Sequence, residues 1–211
     1  MNDTKVKICG ITKLQDAILA AEFGADVLGF NFCKESPRYI PPESASIIAA
    51  QLPDKVEIAG VFVNENLEEI VRVFKATGLD TIQLHGDETP EFTAALKRKT
   101  SARIIKAFRI TPSFRASDVL GHDVEFVLLD SYSPKQRGGT GKSFDWEIAK
   151  TVCGIAPNLY LAGGLTPINV REAVLKVKPY AVDVCSGVEA RPGVKDVEKL
   201  RSFIRNTRET I

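Results

Sequence analysis

The sequence predicts an α/β fold of the (β/α)₈ barrel (TIM barrel) type, in which eight parallel strands alternate with helices that cover the outside of the barrel. Strand-like and helix-like segments alternate throughout the 211 residues. Most strand-like segments are continuous apolar runs, as expected when both faces of a parallel strand are covered. The last two run directly into glycine, which is typical of the phosphate-binding loops after strands seven and eight of such a barrel.

The eight predicted strands are short, and together they account for a complete barrel. They span residues 5–11, 26–32, 57–63, 81–86, 103–110, 125–130, 158–164 and 181–187. An open doubly wound sheet is the alternative, but it rarely needs eight strand–helix units in so few residues. Because no linker or low-complexity stretch divides the chain, we expect a single domain over residues 1–211.

Seven segments between and after these strands carry apolar residues at three- and four-residue steps, the spacing of amphipathic helices. They span residues 14–23, 43–52, 66–77, 90–99, 144–153, 167–177 and 194–208. Pro42 and Pro90 mark first turns, and Gly24 and Gly78 lie just past the last turns. Residues 112–121 are short and rich in Ser, Asp and Gly, so we expect a degenerate helix there.

Composition and charge exclude several classes of function. The net charge of +1, with acidic and basic residues interleaved, provides no basic surface for nucleic acid or an anionic membrane. No apolar run approaches the roughly 20 residues that span a bilayer, and the first residues resemble no signal peptide. Four cysteines without metal spacing and two histidines predict reduced thiols and no metal. We expect a cytoplasmic protein, a monomer by default or else a homodimer.

Two glycine turns near the end of the chain predict a phosphate site. The sequences LAGGLTP and VDVCSGVE place Gly163, Gly164, Ser186 and Gly187 directly after the last two strands. Such turns, each before a helix start, aim backbone N–H groups at one anion. The loop at residues 137–146 imitates a phosphate loop but lacks the Walker spacing, and we interpret it as a mobile lid.

Polar residues at the predicted strand ends should surround one pocket, because a barrel gathers these ends on one face. They are Cys9, Asn31, Cys33, His85, Asp130, Asp183, Cys185 and Ser186. A buried Asp130 would be costly unless partnered or protonated, which suits proton transfer; the alternative is that it caps a turn or pairs with a lysine. Cys9 is either an inert core residue or, with a lowered pKa, a base. We favour packing or loop roles for Cys33 and Cys185, and packing for Cys153.

Two further residues are candidates for ligand contact. Arg38, on the loop after the second strand, can bind a carboxylate or phosphate through two hydrogen bonds, or can be a solvated loop residue. His85 either contacts the ligand or is a core histidine whose ring nitrogens are hydrogen-bonded within the protein, and its position at a strand end favours ligand contact.

The motifs taken together resemble the phosphoribosylanthranilate isomerase family over essentially the whole chain. KICGIT, GFNFCKESPRYI, GVFVNE, IQLHGDE, LLDSY, GGTGKSFDW, LAGGLTPINV and VDVCSGVE occur in this order. The resemblance implies a cofactor-free Amadori rearrangement of N-(5'-phosphoribosyl)anthranilate to 1-(2-carboxyphenylamino)-1-deoxyribulose 5-phosphate in tryptophan biosynthesis. It further implies that Asp130 is the general acid that opens the furanose ring. Cys9 would then be the base that removes the proton from the neighbouring sugar carbon.

The resemblance also implies the substrate contacts. Arg38 matches the family's arginine for the anthranilate carboxylate, and Asp183 matches a polar residue that shapes the pocket. The phosphate site corresponds to the backbone of Gly163, Gly164, Ser186 and Gly187. One departure is Cys185, where the family usually has serine. If phosphate is held by backbone N–H groups, as we expect, this change costs little.

Two alternatives are weighed against the isomerase. Another phosphosugar barrel enzyme would need a metal-binding set of histidine and aspartate or a catalytic lysine, and Lys106 is the lone strand-end lysine of this kind. A non-catalytic barrel that binds a phosphorylated ligand would keep the glycine turns but could lose Cys9 or Asp130. Both residues are present, which favours the enzyme.

Overall fold

The computed structural model describes residues 4–131 and 146–209, and in them eight parallel strands close into a barrel in sequence order. Strand β1 pairs with β2 on one side and with β8 on the other, which closes the barrel. The predicted fold class is therefore confirmed. The strands are β1 Lys5–Cys9, β2 Val27–Asn31, β3 Glu57–Phe62, β4 Thr81–Leu84, β5 Arg103–Ile110, β6 Phe126–Ser131, β7 Leu159–Leu161 and β8 Ala181–Val184.

The helices follow the predicted order within the described residues. They are α1 Leu14–Phe23, α2 Pro42–Ala49, α3 Leu67–Thr77, α4 Pro90–Lys99, α5 Trp146–Ile155, α6 Val170–Val177 and α7 Val197–Arg208. Gly24 and Gly78 end α1 and α3 in the left-handed conformation, with φ of 100° and 67°, which glycine adopts without strain. After β5 the chain forms only the short 3₁₀ helix Ala116–Val119, so the expected degenerate helix is confirmed.

The prediction that the last helix begins at residue 194 is wrong. Val194–Lys195 (β10) instead pairs antiparallel with Glu189–Arg191 (β9), and the helix begins at Val197. Asp196 sets that start, because its side chain accepts a hydrogen bond from the N–H of Lys199. The apolar spacing of the helix continues by chance into the hairpin, and the periodicity could not separate the two.

The segment around β7 differs from its prediction in the same way. Gly163 and Gly164 adopt φ of 80° and 71°, so the strand ends at Leu161 rather than at residue 164. The N–H of Thr166 donates to the side chain of Asn169 at 2.8 Å, and α6 therefore begins at Val170 rather than at residue 167. The predicted lid lies outside the described residues, apart from Trp146.

The barrel is filled by side chains at its N-terminal end. Seven buried residues form a cluster in this interior: Ile105, Ala107, Phe126, Leu128, Tyr160, Ala162 and Ala181. A larger apolar cluster packs the helices against the outside of the barrel. A barrel of this kind places its active site at the C-terminal ends of the strands. In the described part of the chain, no helix is long and apolar enough to cross a membrane.

Candidate active site

Four of the predicted site residues come together inside the C-terminal end of the barrel. Side chains alternate between the inside and the outside of a barrel strand. Cys9 ends β1, and Asp130 lies two residues beyond the interior residue Leu128 on β6. Asp183 lies near the end of β8, and His85 directly follows β4. Asp130, Asp183 and the two glycine turns line one cleft, His85 contacts Asp130, and Cys9 contacts Cys185 of the second turn.

The thiol of Cys9 is held in an environment that favours its ionised form. Cys9 is 9% exposed, and its thiol forms a hydrogen bond with the thiol of Cys185. This hydrogen bond, together with the positive charges of Lys7 and Lys195, holds the pKa of Cys9 well below its ordinary value despite the opposing effect of burial. The pKa of Cys185 is raised, chiefly because it hydrogen-bonds the Cys9 sulfur. Cys9 is therefore the thiolate of the pair, and Cys185, whose Sγ also lies 3.8 Å from Oε1 of Glu189, is the donor.

Replacing Cys185 by alanine is expected to raise the pKa of Cys9, because the thiolate loses its hydrogen-bond donor. A hydrogen bond to a charged group contributes about 1.5–3 kcal/mol, so alkylation of Cys9 by iodoacetamide at neutral pH should slow about tenfold or more. Cys185→Ser is the matched control, because a hydroxyl can still donate. The rate is measured by mass spectrometry on the peptide that contains Cys9. Equal rates in the alanine variant and the wild type would contradict the assignment.

Lys7 and Asp183 form an ion pair on the inner wall, beneath the Cys9 thiol. The Nζ of Lys7 lies 2.9 Å from Oδ1 of Asp183, and both side chains are buried. Burial raises the pKa of Asp183 to about 6, with Lys7 acting in the opposite direction. The pKa of Lys7 is raised, because the attraction of Asp183 and Cys9 outweighs burial. Lys7 therefore remains positively charged, and its charge favours the ionised forms of both Asp183 and Cys9.

Asp130 is buried, 4% exposed, and no lysine among the described residues pairs with it. Its Oδ1 accepts a hydrogen bond of 2.8 Å from the N–H of Ser131, and its Oδ2 lies 3.4 Å from Nε2 of His85. The Nδ1 of His85 lies in turn 2.8 Å from Nε2 of Gln83. The carboxyl group thus has a fixed orientation, with one oxygen anchored to the backbone and the other beside an imidazole.

Arg38 is buried in a charged cluster, so the alternative of a solvated loop residue is wrong. Its Nε and Nη2 donate to the carboxylate of Glu189 at 2.9 and 2.7 Å, and Lys195 Nζ binds the same carboxylate at 3.2 Å. Two cations share one anion, which leaves one positive charge in excess. Within the described residues, Nη1 of Arg38 has no hydrogen-bond partner. Gly10 permits this packing, because a Cβ there would lie 2.7 Å from Cδ of Arg38.

The two glycine turns lie side by side on the wall of the cleft. Residues 162–165 and 183–187 line it together with Asp130. Gly187 packs on the carbonyl of Leu165 so closely that a side chain at this position would collide with it. Asn169 holds the first turn by donating to the carbonyl of Gly164 at 2.9 Å. Among described residues, the N–H groups of Gly163 and Gly164 donate to no backbone carbonyl, so they are available to an anion.

Four residues of the site were not predicted from the sequence. Lys7 and Gln83 are inward-facing neighbours, two positions before Cys9 and His85, and the two-residue alternation of a strand could have identified them. Lys195 lies in the part of the hairpin that periodicity assigned to a helix, Glu189 lies just past the predicted eighth strand, and no local signal marks either residue. In the described part of the chain, no group of three or more His, Cys, Asp or Glu residues is arranged to hold a metal ion.

Known proteins match both the sequence and the fold. A family model described as N-(5'phosphoribosyl)anthranilate (PRA) isomerase matches residues 6–206. An N-(5'-phosphoribosyl)anthranilate isomerase of Trichlorobacter lovleyi is 51% identical over 207 residues, which cover 98% of this chain and 99% of the relative. The crystal structure of phosphoribosyl anthranilate isomerase from Thermus thermophilus superposes with a TM-score of 0.90 at 38% identity, covering 99% of this chain and all of that one.

A further solved structure carries a bound ligand. It is phosphoribosyl anthranilate isomerase in complex with reduced 1-(o-carboxyphenylamino)-1-deoxyribulose 5-phosphate. Its TM-score with this chain is 0.84 at 39% identity, and the match covers 97% of this chain and 98% of that chain.

Proposed function

The chain belongs to the N-(5'-phosphoribosyl)anthranilate isomerase family and is an isomerase of tryptophan biosynthesis; from this we propose which of its residues carry the Amadori rearrangement. Cys9 and Asp130 are the base and the acid. The observation that supports this assignment is that a thiol favoured in its ionised form and a buried carboxyl group lie at the ends of β1 and β6, beside the same glycine turns.

In the first step of this mechanism Asp130 donates its proton to the furanose ring oxygen. The bond between that oxygen and C1 of the sugar breaks, its electron pair stays on the oxygen as a hydroxyl group, and the nitrogen and C1 form a Schiff base. This step requires a carboxyl group beside the bound sugar, and Asp130 is buried next to the two glycine turns. Because Ser131 anchors Oδ1, the carboxyl group keeps its orientation when it becomes a carboxylate.

In the second step the Cys9 thiolate removes the proton from C2 of the sugar. The electrons of that C–H bond move toward the iminium nitrogen and give an enolamine, which tautomerises to the ketone. A base must be ionised at working pH to act, and the donor Cys185 and the cation Lys7 favour that state. A buried carboxyl group and a thiol favoured in its ionised form are the acid and the base that this chemistry needs.

The same proposal assigns the substrate contacts. Phosphate is held by the backbone of Gly163, Gly164, Ser186 and Gly187, which supply N–H donors without a charged side chain. The anthranilate carboxylate is bound by Arg38 through its uncommitted Nη1 and the excess positive charge of its cluster. Asp183 faces the sugar and His85 faces the reacting end.

A cytoplasmic location and the choice between monomer and homodimer stay predictions.

Replacing Arg38 by alanine is expected to weaken binding of the carboxylate-bearing product by about tenfold to a hundredfold. This range corresponds to one hydrogen bond to a charged group, roughly 1.5–3 kcal/mol. Arg38→Lys is the matched control: it keeps the charge but loses the planar fork, so it should recover only part of the affinity. Isothermal titration with the reduced product measures both variants. Unchanged affinity in the alanine variant would remove Arg38 from the substrate site.

The decisive experiment for the function is turnover by the purified chain. Freshly prepared N-(5'-phosphoribosyl)anthranilate is added, and the loss of anthranilate fluorescence is followed together with product identification by mass spectrometry. We expect multiple turnovers without added metal or cofactor. A folded protein that binds inorganic phosphate but converts no substrate would instead support the non-catalytic phospholigand-binding barrel.

A further inference from the structure

We infer that Gln83 is a positioning residue for the acid step: its amide holds His85 as the neutral imidazole whose Nε2 proton faces Asp130. His85 then donates to the Asp130 carboxylate as ring opening leaves it negatively charged. This inference rests on the proposed role of Asp130. It adds two residues to the acid side of the cleft: His85, which contacts Asp130, and Gln83, which orients His85.

The geometry places the three side chains in a row across the inside of the barrel. Gln83, on β4, is 1% exposed, and its Nε2 lies 2.8 Å from Nδ1 of His85. The Nε2 on the opposite edge of that ring lies 3.4 Å from Oδ2 of Asp130. Among the described residues, Oε1 of Gln83 and Nε2 of His85 are buried without a hydrogen-bond partner. A buried polar atom without a hydrogen bond is costly, so both atoms are expected to gain a hydrogen-bond partner when the cleft is occupied.

The hydrogen bond between Gln83 and His85 decides which ring nitrogen carries the proton. An amide nitrogen can only donate, so Nδ1 of His85 must accept. A neutral imidazole carries one N–H, which is therefore on Nε2 and directed at Asp130. A second proton on Nδ1 would face the N–H of Gln83, so this contact also opposes a positively charged ring.

The contact with Gln83, which disfavours a second proton on the ring, matters because acidic groups face His85 from several strands. Asp130 approaches from β6 and Cys9 from β1, with Asp183 on β8 beside both. Of the cations, Lys7 on the inner wall pairs with Asp183, and Arg109, opposite Asp130 on β5, pairs with Asp87. A doubly protonated ring would pair with the Asp130 carboxylate before the reaction. A ring with one N–H, directed at Asp130 by the amide of Gln83, instead binds that oxygen more strongly only as Asp130 loses its proton.

The long contact of 3.4 Å fits this sequence of events. A protonated carboxyl oxygen can donate to the substrate and still accept, weakly, from His85. After the proton has moved to the sugar oxygen, the carboxylate is a stronger acceptor and the contact should shorten. Interactions that strengthen in the transition state accelerate the chemical step, whereas those that are equal in the ground state do not.

The test uses nitrogen-15 NMR of the imidazole rings, which distinguishes protonated from unprotonated ring nitrogens. The chain has only two histidines, so the His122→Gln variant assigns both rings. In the folded wild type we expect an unprotonated Nδ1 and a protonated Nε2 for His85. The reverse tautomer, or a doubly protonated ring at neutral pH, would overturn the inference whether or not the protein turns over substrate.

Variants of Gln83 supply the kinetic half of the test. Gln83→Leu, which has similar volume but no polar atoms, should give a mixture of His85 tautomers and lower kcat about tenfold, the usual value of one hydrogen bond. KM should change much less. Gln83→Glu, an acceptor, should place a proton on Nδ1. Gln51→Leu, at an exposed glutamine on the far side of the fold, is the matched control and should change neither readout. An unaltered tautomer and kcat in Gln83→Leu would contradict the inference.

Discussion

Replacing Cys9 by alanine is expected to lower kcat by about 10²–10⁴, the contribution that a positioned general base typically makes. In the proposed mechanism this variant lacks the group that removes the proton from C2 of the sugar. Binding of product should change little, because the carboxylate and phosphate contacts lie on other residues. Turnover is measured by the loss of anthranilate fluorescence, and affinity is measured separately by titration with the reduced product.

Two further variants make this prediction specific to the ionised sulfur. Cys9→Ser preserves the size and a hydroxyl, but a serine hydroxyl does not ionise near neutral pH, so it should be almost as slow as the alanine variant. Cys153→Ala is the matched control, because Cys153 packs on α5 against the outer apolar cluster. Near-normal kcat in Cys9→Ala would remove the thiol from the base role.

The chemistry around Cys9 explains why one cysteine of four is singled out. The thiols of Cys33 and Cys153 have raised pKa values, because burial disfavours their charge and no cation compensates. Cys9 is more buried than either, yet its pKa moves the other way because Cys185 donates to it and Lys7 lies on the same inner face. Burial alone would make Cys9 inert, and its neighbours reverse that outcome.

Much of the fold could be predicted because the barrel repeats one local rule. A buried parallel strand is an apolar run, and a helix that covers it is amphipathic, so each strand and helix has its own signal in the sequence. The predicted bounds of α1 and α4 are those of the structure, where Gly24 closes the first helix and Pro90 opens the second. The β9–β10 hairpin has no such signal, because the residues of β10 also fit the helical period that continues into α7.

The site was predictable to the extent that it depends on strand ends. Cys9 and Asp130 stand out because polar residues rarely end buried apolar runs, and one barrel face collects all such ends. Their supporting residues were missed for a different reason. Lys7 and Gln83 are interior residues whose partners lie on strands far away in the sequence, Asp183 for one and His85 with Asp130 for the other. Register across the barrel decides those contacts.

The charged side chains of the site are distributed unevenly between Cys9 and Asp130. The excess positive charge of the Arg38 and Lys195 cluster lies behind Cys9, because Lys195 also donates to the carbonyl oxygen of Cys9 at 2.6 Å. The cations proposed to attract the substrate carboxylate therefore also favour the thiolate. On the opposite side, no lysine or arginine among the described residues forms an ion pair with Asp130; its neighbours are His85 and, across β5, Arg109, which pairs with Asp87.

Replacing Asp130 by asparagine is expected to lower kcat by about 10²–10⁴, because an amide cannot transfer a proton to the furanose oxygen. The substitution keeps an acceptor for the N–H of Ser131, so the side chain can retain its place. Asp54→Asn, at an exposed turn, is the matched control and should leave kcat unchanged. Near-normal turnover in Asp130→Asn would assign ring opening to another group.

The two slow variants should stop at different points of the reaction, which separates the acid from the base. Cys9→Ala still has its acid, so it should open the ring and accumulate the Schiff base, which borohydride traps as a stable amine that mass spectrometry detects. Asp130→Asn should leave the furanose closed and yield little trapped amine. If both variants gave equal amounts of trapped amine, the division into an acid on β6 and a base on β1 would be wrong. The opposite pattern would exchange the two roles.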